Sequence, residues 1–286
     1  MQTNEIKMTP SPQGAVVNPN KALWEKGDFT EIAAFMRKSG EVVAESLRIT
    51  PPLKVLDLGC GDGTTALPMA SLGADVLGID IARNLVDAGN RRAAAAGLKR
   101  LKFQEGDASN LQGIADSLFD LTLSMFGAMF APKPFNVAEE MVRVTKAGGR
   151  IVMGNWIPND PTFVSQVLKI SSAFTPPPPE GFVSPMTWGV ESHIVERFVQ
   201  AGVPKENISM VKDTFYFASP DKSPTRFIEL FRDFYGPTMN AYEAAQKNGK
   251  AQDLHQQLLE LANSQNKSKD AGTFIPATYM RVTVSL

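Results

Sequence analysis

From Pro52 onward, short apolar runs alternate with longer amphipathic stretches. The runs Lys54–Leu58, Asp75–Ile79, Leu101–Glu105, Asp120–Met125 and Arg150–Asn155 have the length and composition of buried strands. Between them the spacing predicts helices from about Thr64, over 84–96, around 110–117 and over 134–145, the last ended by Gly148-Gly149. Strand and helix in regular alternation require parallel strands with helices on both faces, so the pattern predicts a doubly wound α/β fold. Beyond Trp156 it predicts helices over 161–173 and 189–201, separated by the turn Pro176–Gly181. A strand over 208–217, a helical stretch over 223–264 and a last strand Tyr279–Leu286 complete a mostly parallel sheet of seven strands. Before the first strand, Ile32, Phe35, Met36, Val43 and Leu47 recur at helical spacing, whereas residues 1–20 show no period.

The expected organisation is a flexible arm (1–20), an N-terminal helical lid (21–50), a core (51–156) and the remainder of the same domain (157–286). A helical cap insertion falls at about 218–276, too long for a plain loop. Composition narrows the function classes. With 43% hydrophobic and 21% charged residues the chain is of globular type, and a net charge of −1, with Lys and Arg dispersed, lacks the footprint of a nucleic-acid binder. No run of about 18 apolar residues occurs, so no membrane insertion and a cytoplasmic setting are expected. The single cysteine, Cys60, excludes paired-cysteine chemistry.

The segment Val55-Leu56-Asp57-Leu58-Gly59-Cys60-Gly61-Asp62-Gly63-Thr64 is a buried-type strand, a glycine-rich turn and a helix start. A dinucleotide fingerprint needs glycine at the position of Thr64. Asp57, before the turn, disfavours a pyrophosphate and suits the amino group of a methionine moiety. Asp80 closes the second strand, where a carboxylate can accept from two ribose hydroxyls, and Ile81 follows it. Gly106, Asp107 and Ala108 close the third, where Asp107 can accept from an adenine amino group while the Ala108 amide donates to the ring. Each aspartate alone could be a helix cap; three acceptors at three successive strand ends point to one adenosyl ligand.

On these residues the chain resembles the class I S-adenosylmethionine-dependent methyltransferases, in particular the ubiquinone/menaquinone-biosynthesis-like small-molecule branch, from about Trp24 to the last residue. Ser124-Met125-Phe126-Gly127-Ala128-Met129-Phe130 is similar to the family's fourth motif. Ala147-Gly148-Gly149 stands where Pro-Gly-Gly is usual. The resemblance implies a Rossmann-like sheet and S-adenosyl-L-methionine as cofactor. It implies contacts from Gly59, Cys60 and Gly61 to the methionine part, from Asp80 to ribose and from Asp107 to adenine, with Ser124 and Met125 alongside. Leu23-Trp24-Glu25-Lys26-Gly27-Asp28-Phe29 resembles the branch's lid segment, with Trp24 and Phe29 excluding water and Lys26 near the cofactor carboxylate; a helix packed on the flank fits the same residues.

Methyl transfer from a sulfonium is an in-line displacement that needs alignment and dryness more than acid–base groups. No catalytic residue is assigned. His193, phased with Arg197 and Gln200, is expected exposed, and His255 is expected on the flank. After Asp120 the next carboxylate is Glu139, so no metal site is expected. Phe126, Met129 and Trp156, with Trp24 and Phe29, are the expected substrate contacts. Trp188 and the stripe Phe227, Phe231, Phe234, Tyr235 are further from the strand ends, and together these residues imply a small apolar or aromatic acceptor. Three other readings stay open on sequence alone: a nicotinamide-dependent oxidoreductase, a non-catalytic adenosyl-cofactor-binding regulatory protein, and methylation of a protein side chain.

Overall fold

A computed structural model of the chain describes residues 20–286; the expected arm, apart from Asn20, lies outside the described residues. The strands β1 (Lys54–Leu58), β2 (Asp75–Asp80), β3 (Leu101–Glu105), β4 (Phe119–Met125), β5 (Thr145–Trp156), β6 (Ile208–Ser219) and β7 (Thr273–Ser285) form one sheet in the order β3-β2-β1-β4-β5-β7-β6. The first five run parallel, and β7 is antiparallel to both neighbours. The chain winds outward from β1 to β3 and then returns to pair β4 against β1. That reversal leaves a crevice at the strands' carboxyl ends, where α/β sheets bind ligands.

The helices are α1 (Asn20–Glu25), α2 (Thr30–Ala33), α3 (Arg37–Ser46), α4 (Ala66–Ser71), α5 (Arg83–Ala95), α6 (Pro134–Val144), α7 (Phe163–Ser172), α8 (Glu191–Gln200), α9 (Pro224–Phe234), α10 (Gly236–Lys247) and α11 (Ala251–Gln265). The central strands are buried on both faces, with Val55, Leu56, Leu58, Leu121, Leu123 and Ile151 fully enclosed. That burial is why they are near-continuous apolar runs in the sequence.

Four differences from the expected elements have local causes. Residues 110–117 form turns, not a helix: the Glu140 carboxylate accepts from the Leu111 amide at 2.6 Å, and Arg143 donates to the Leu111 and Ile114 carbonyls at 3.1 and 2.8 Å. Side chains of α6 thereby satisfy backbone groups that a helix would have paired. The N-terminal helix breaks at Gly27-Asp28, where a Cβ on Gly27 would lie 2.4 Å from the Phe234 carbonyl oxygen. The 223–264 stretch is three helices, divided at Gly236-Pro237 and at Gly249. Finally, β7 begins at Thr273 and contains Pro276, and β5 takes in Thr145–Gly149. Only Tyr279 onward pairs with β5, so Pro276 sits where β7 has β6 alone beside it and its missing N–H breaks no ladder.

Candidate active site

The glycine turn after β1 is held from three directions. The Gly59 amide donates to the Ile79 carbonyl at 2.7 Å, and the Gly61 amide to Asp80 Oδ2 at 2.8 Å. Gly59 has φ +70°, and a Cβ there would stand 2.6 Å from Gly127 Cα, so the turn touches the backbone after β4 directly. Asp62, 1% exposed, is bracketed by two arginines. Arg37 of α3 donates to both its carboxylate oxygens and, at 2.7 Å, to the Thr64 hydroxyl. Arg92 of α5 reaches the Asp62 carbonyl at 2.6 Å and its carboxylate at 3.4 Å.

This turn forms one wall of a cleft that opens to solvent. Of the residues expected at the cofactor, Gly59, Cys60, Gly61, Asp80, Ile81, Gly106, Asp107, Ala108 and Met125 line it. Asp80 accepts from the Gly61 and Ala82 amides, one on each oxygen, at 2.8 and 2.9 Å. Asp107 Oδ1 accepts from the Ser109 amide and hydroxyl, both at 2.8 Å. Two expected contacts are not in the wall. Asp57 is buried beneath the turn with the Thr65 hydroxyl donating to it at 2.6 Å. Ser124 is buried between strands, donating to the Leu58 carbonyl at 2.6 Å and accepting from the Ala128 amide at 3.0 Å. Both support the turn from behind.

Burial raises the Asp80 carboxyl above the ordinary range, opposed by the amides it accepts from. Asp57, enclosed and near Asp80, is pushed up from 3.8 to about 7 by its burial, with the Thr65 hydroxyl opposing. Burial raises the Cys60 thiol as well, with Asp80 adding to it.

The N-terminal segment crosses the mouth of the cleft. Asn20 donates to the Phe130 carbonyl, Glu25 accepts from the Arg83 amide at 3.0 Å, and Asn84 donates to the Gly27 carbonyl at 3.3 Å. Trp24 packs edge-on against Phe29, Phe130 and Tyr235 at 5.7, 4.9 and 5.9 Å. Lys26 turns away from the cleft, with its ammonium 2.7 Å from both Asn240 and Glu243 of α10; the expectation that it stands near the cofactor carboxylate is corrected.

A second, apolar cavity adjoins the first. Trp24, Phe29, Met36, Phe126 and Phe130 line both. Trp156, Val164, Phe217, Phe231 and Tyr235 complete its walls together with Ile32. Phe126 stacks on Trp156 with centroids 3.7 Å apart and planes 6° from parallel, and its backbone has φ +64°. Such a backbone is strained for a bulky residue and is typically retained at functional sites. Met129 is buried outside both walls, Trp188 packs under Arg197 at 4.4 Å, and Phe227 packs on Phe35 at 4.5 Å.

The histidines take no part in either cavity. His193 is half-buried rather than exposed, and its helix neighbour Arg197 is 4% exposed. His255 shares a hydrogen bond with the Tyr242 hydroxyl at 2.8 Å. Sequence reasoning missed the Arg37–Asp62–Arg92 clamp, whose partners are 25 and 30 residues apart with no periodic signal joining them.

The residues at the cleft suit an adenosyl ligand. A buried carboxylate closes β2, Ile81, Leu85 and Ala108 offer apolar surface, and Gly61, at φ +55°, has nothing within 4 Å of where a Cβ would stand. Comparison with known proteins agrees. Residues 56–153 match the methyltransferase domain family Methyltransf_11. The chain is 30% identical to an uncharacterized protein of Mycobacterium tuberculosis over 82% of its own length and 83% of that protein's. It is 36% identical to the demethylmenaquinone methyltransferase of Paenarthrobacter aurescens over 42% of this chain and 45% of the relative. The YcgJ protein of Bacillus subtilis has the same fold, with a TM-score of 0.53 at 16% identity, covering 86% of this chain and 97% of that one. So does the [4+2]-cyclase SpnF, at 0.51 and 19%, covering 87% and 81%, so the fold by itself does not set the chemistry. Strand order, turn and family match converge: the chain belongs to the class I S-adenosylmethionine-dependent methyltransferases.

Proposed function

We propose that the protein methylates a small apolar or aromatic acceptor held in the second cavity. One observation carries this reading: the cofactor cleft and the apolar cavity share Trp24, Phe29, Met36, Phe126 and Phe130 as walls. Ligands in the two would therefore meet at a junction rimmed by apolar side chains.

In this reading Asp80 accepts from the ribose hydroxyls with lone pairs left over from the Gly61 and Ala82 amides. The Gly59–Gly61 turn faces the methionine part, and Asp107 and Ala108 face adenine. Trp24 and Phe29 cover the junction and keep water out. Trp156 and Phe126 present a flat surface to the acceptor. The cofactor supplies an electrophilic methyl group. What the chain supplies is position: in well-oriented systems alignment lowers a barrier by roughly 7–11 kcal/mol. A dry junction prevents loss of the methyl group to solvent. The dispersed charge, −1 overall, supports a small acceptor over nucleic acid, and the single cysteine suits a cytoplasmic setting.

The test is a screen of small hydroxy- and amino-arenes for release of S-adenosylhomocysteine. Val164→Phe narrows the second cavity and leaves the first intact. It is expected to lower turnover by about tenfold or more while S-adenosylhomocysteine affinity stays within about twofold. Turnover of polar acceptors that Val164→Phe leaves unchanged would rule the second cavity out as the acceptor site.

A further inference from the structure

Among the described residues, the wall of the second cavity holds no carboxylate, imidazole or amine. Tyr235 is the one titratable residue in that wall among the described residues, and burial raises its phenol further, so it stands as a donor. The titratable groups of the adjoining cleft are Asp62, Asp80, Asp107 and Cys60, and each carboxylate is engaged on its own side. Asp62 pairs with Arg37 and Arg92, Asp80 accepts two amides, and Asp107 accepts from Ser109. At the mouth, Lys21 pairs with Glu105 and Glu25 accepts from the Arg83 amide. His193 and His255 line neither cavity. A nucleophile that must shed a proton as it attacks finds no unengaged base among the described residues.

We infer that the acceptor enters already ionised, as the oxyanion of a planar, acidic phenol or enol lying on the Phe126–Trp156 stack. This rests on the second cavity being the acceptor site. A lone pair on the oxyanion forms the new O–CH3 bond as the CH3–S bond breaks, and the electron pair of the broken bond stays on sulfur. The proton has gone to solvent before entry, and cation and anion become two neutral products. An anion alone in an apolar cavity is strongly disfavoured. A cation about 4 Å away offsets that cost by the equivalent of roughly three pH units at an effective dielectric of about 20. The cofactor's positive charge is therefore what admits the acceptor, and binding is ordered with the cofactor first.

The probe is 4-nitrophenol, whose anion absorbs in the visible and whose neutral form does not. It is titrated against the full-length protein saturated with sinefungin, which carries an ammonium in place of the sulfonium, and separately with S-adenosylhomocysteine, neutral at sulfur. In the sinefungin complex the bound probe is expected to ionise at least about one pH unit lower than in the S-adenosylhomocysteine complex. Its anion is expected to bind about tenfold tighter there. Equal ionisation in the two complexes, or a higher value beside sinefungin, overturns the ionised-acceptor inference and leaves the cavity assignment standing. Absence of binding, or equal binding by Val164→Phe, overturns the cavity assignment and the inference with it.

Discussion

Asp57 makes a prediction that separates support from contact. Its carboxyl is 1% exposed, and burial with the nearby Asp80 charge holds it at about 7 against an ordinary 3.8. Across that window the folded protein keeps a proton that the unfolded chain has released. Stability therefore falls as pH rises and levels off above about pH 7. The interval of pKa corresponds to about 4 kcal/mol in all, of which about 3 kcal/mol falls between pH 5 and pH 8. Asp57→Asn removes the titration and keeps the shape and an acceptor for the Thr65 hydroxyl. Urea unfolding of both proteins at pH 5, 6, 7 and 8 is the assay. The wild type should lose about 3 kcal/mol more than Asp57→Asn over that range, whatever the offset between them at pH 5. Asp80 is raised in the same direction and is coupled to Asp57, so the difference between the two proteins reports the titration of Asp57 together with its coupling to Asp80. Parallel curves would show that Asp57 ionises normally and that its enclosure beneath the turn is wrong.

Two glycines of the same turn should behave differently. Gly59→Ala must enter the left-handed region at φ +70° with its Cβ 2.6 Å from backbone, so a loss of about 2 kcal/mol or more is expected, with S-adenosylhomocysteine binding abolished. Gly61→Ala meets open space, so thermal unfolding should register about 1 kcal/mol while calorimetry shows weakened cofactor binding. At the sheet edge, Ser39 donates to the Tyr216 carbonyl at 2.9 Å and accepts from its amide at 3.0 Å. Ser39→Ala should cost about 1–3 kcal/mol in denaturant unfolding and leave cofactor affinity unchanged.

The parallel strands were legible because burial on both faces writes them as apolar runs, and the strand-end residues because each follows such a run directly. Asp80 and Asp107 could be located from Val76–Ile79 and Leu101–Gln104 alone. What escaped depends on partners distant in sequence. The 110–117 turns exist because Glu140 and Arg143 satisfy their backbone, and the start of β7 is concealed by Pro276, whose tolerance depends on which strand lies beside it. Asp57 and Ser124 look like cofactor ligands in the sequence because spacing locates a residue along the strand and not its depth beneath the turn. The apolar cavity is the least legible feature. Its walls come from α1, α2, β5, β6, α7 and α9, as well as from the turns after α2 and β4, and no window of sequence brings Trp24, Trp156 and Tyr235 together.

The most direct test of the account is a calorimetric titration of S-adenosylhomocysteine into the wild type, Asp80→Asn and Asp80→Ala, with circular dichroism to verify folding. The account predicts one site per chain, affinity reduced about 100-fold in Asp80→Ala as its charge-assisted hydrogen bonds are lost, and an intermediate value for Asp80→Asn. No binding by the wild type, or equal affinity in all three folded proteins, would contradict the placement of the cofactor at the carboxyl ends of β1, β2 and β3.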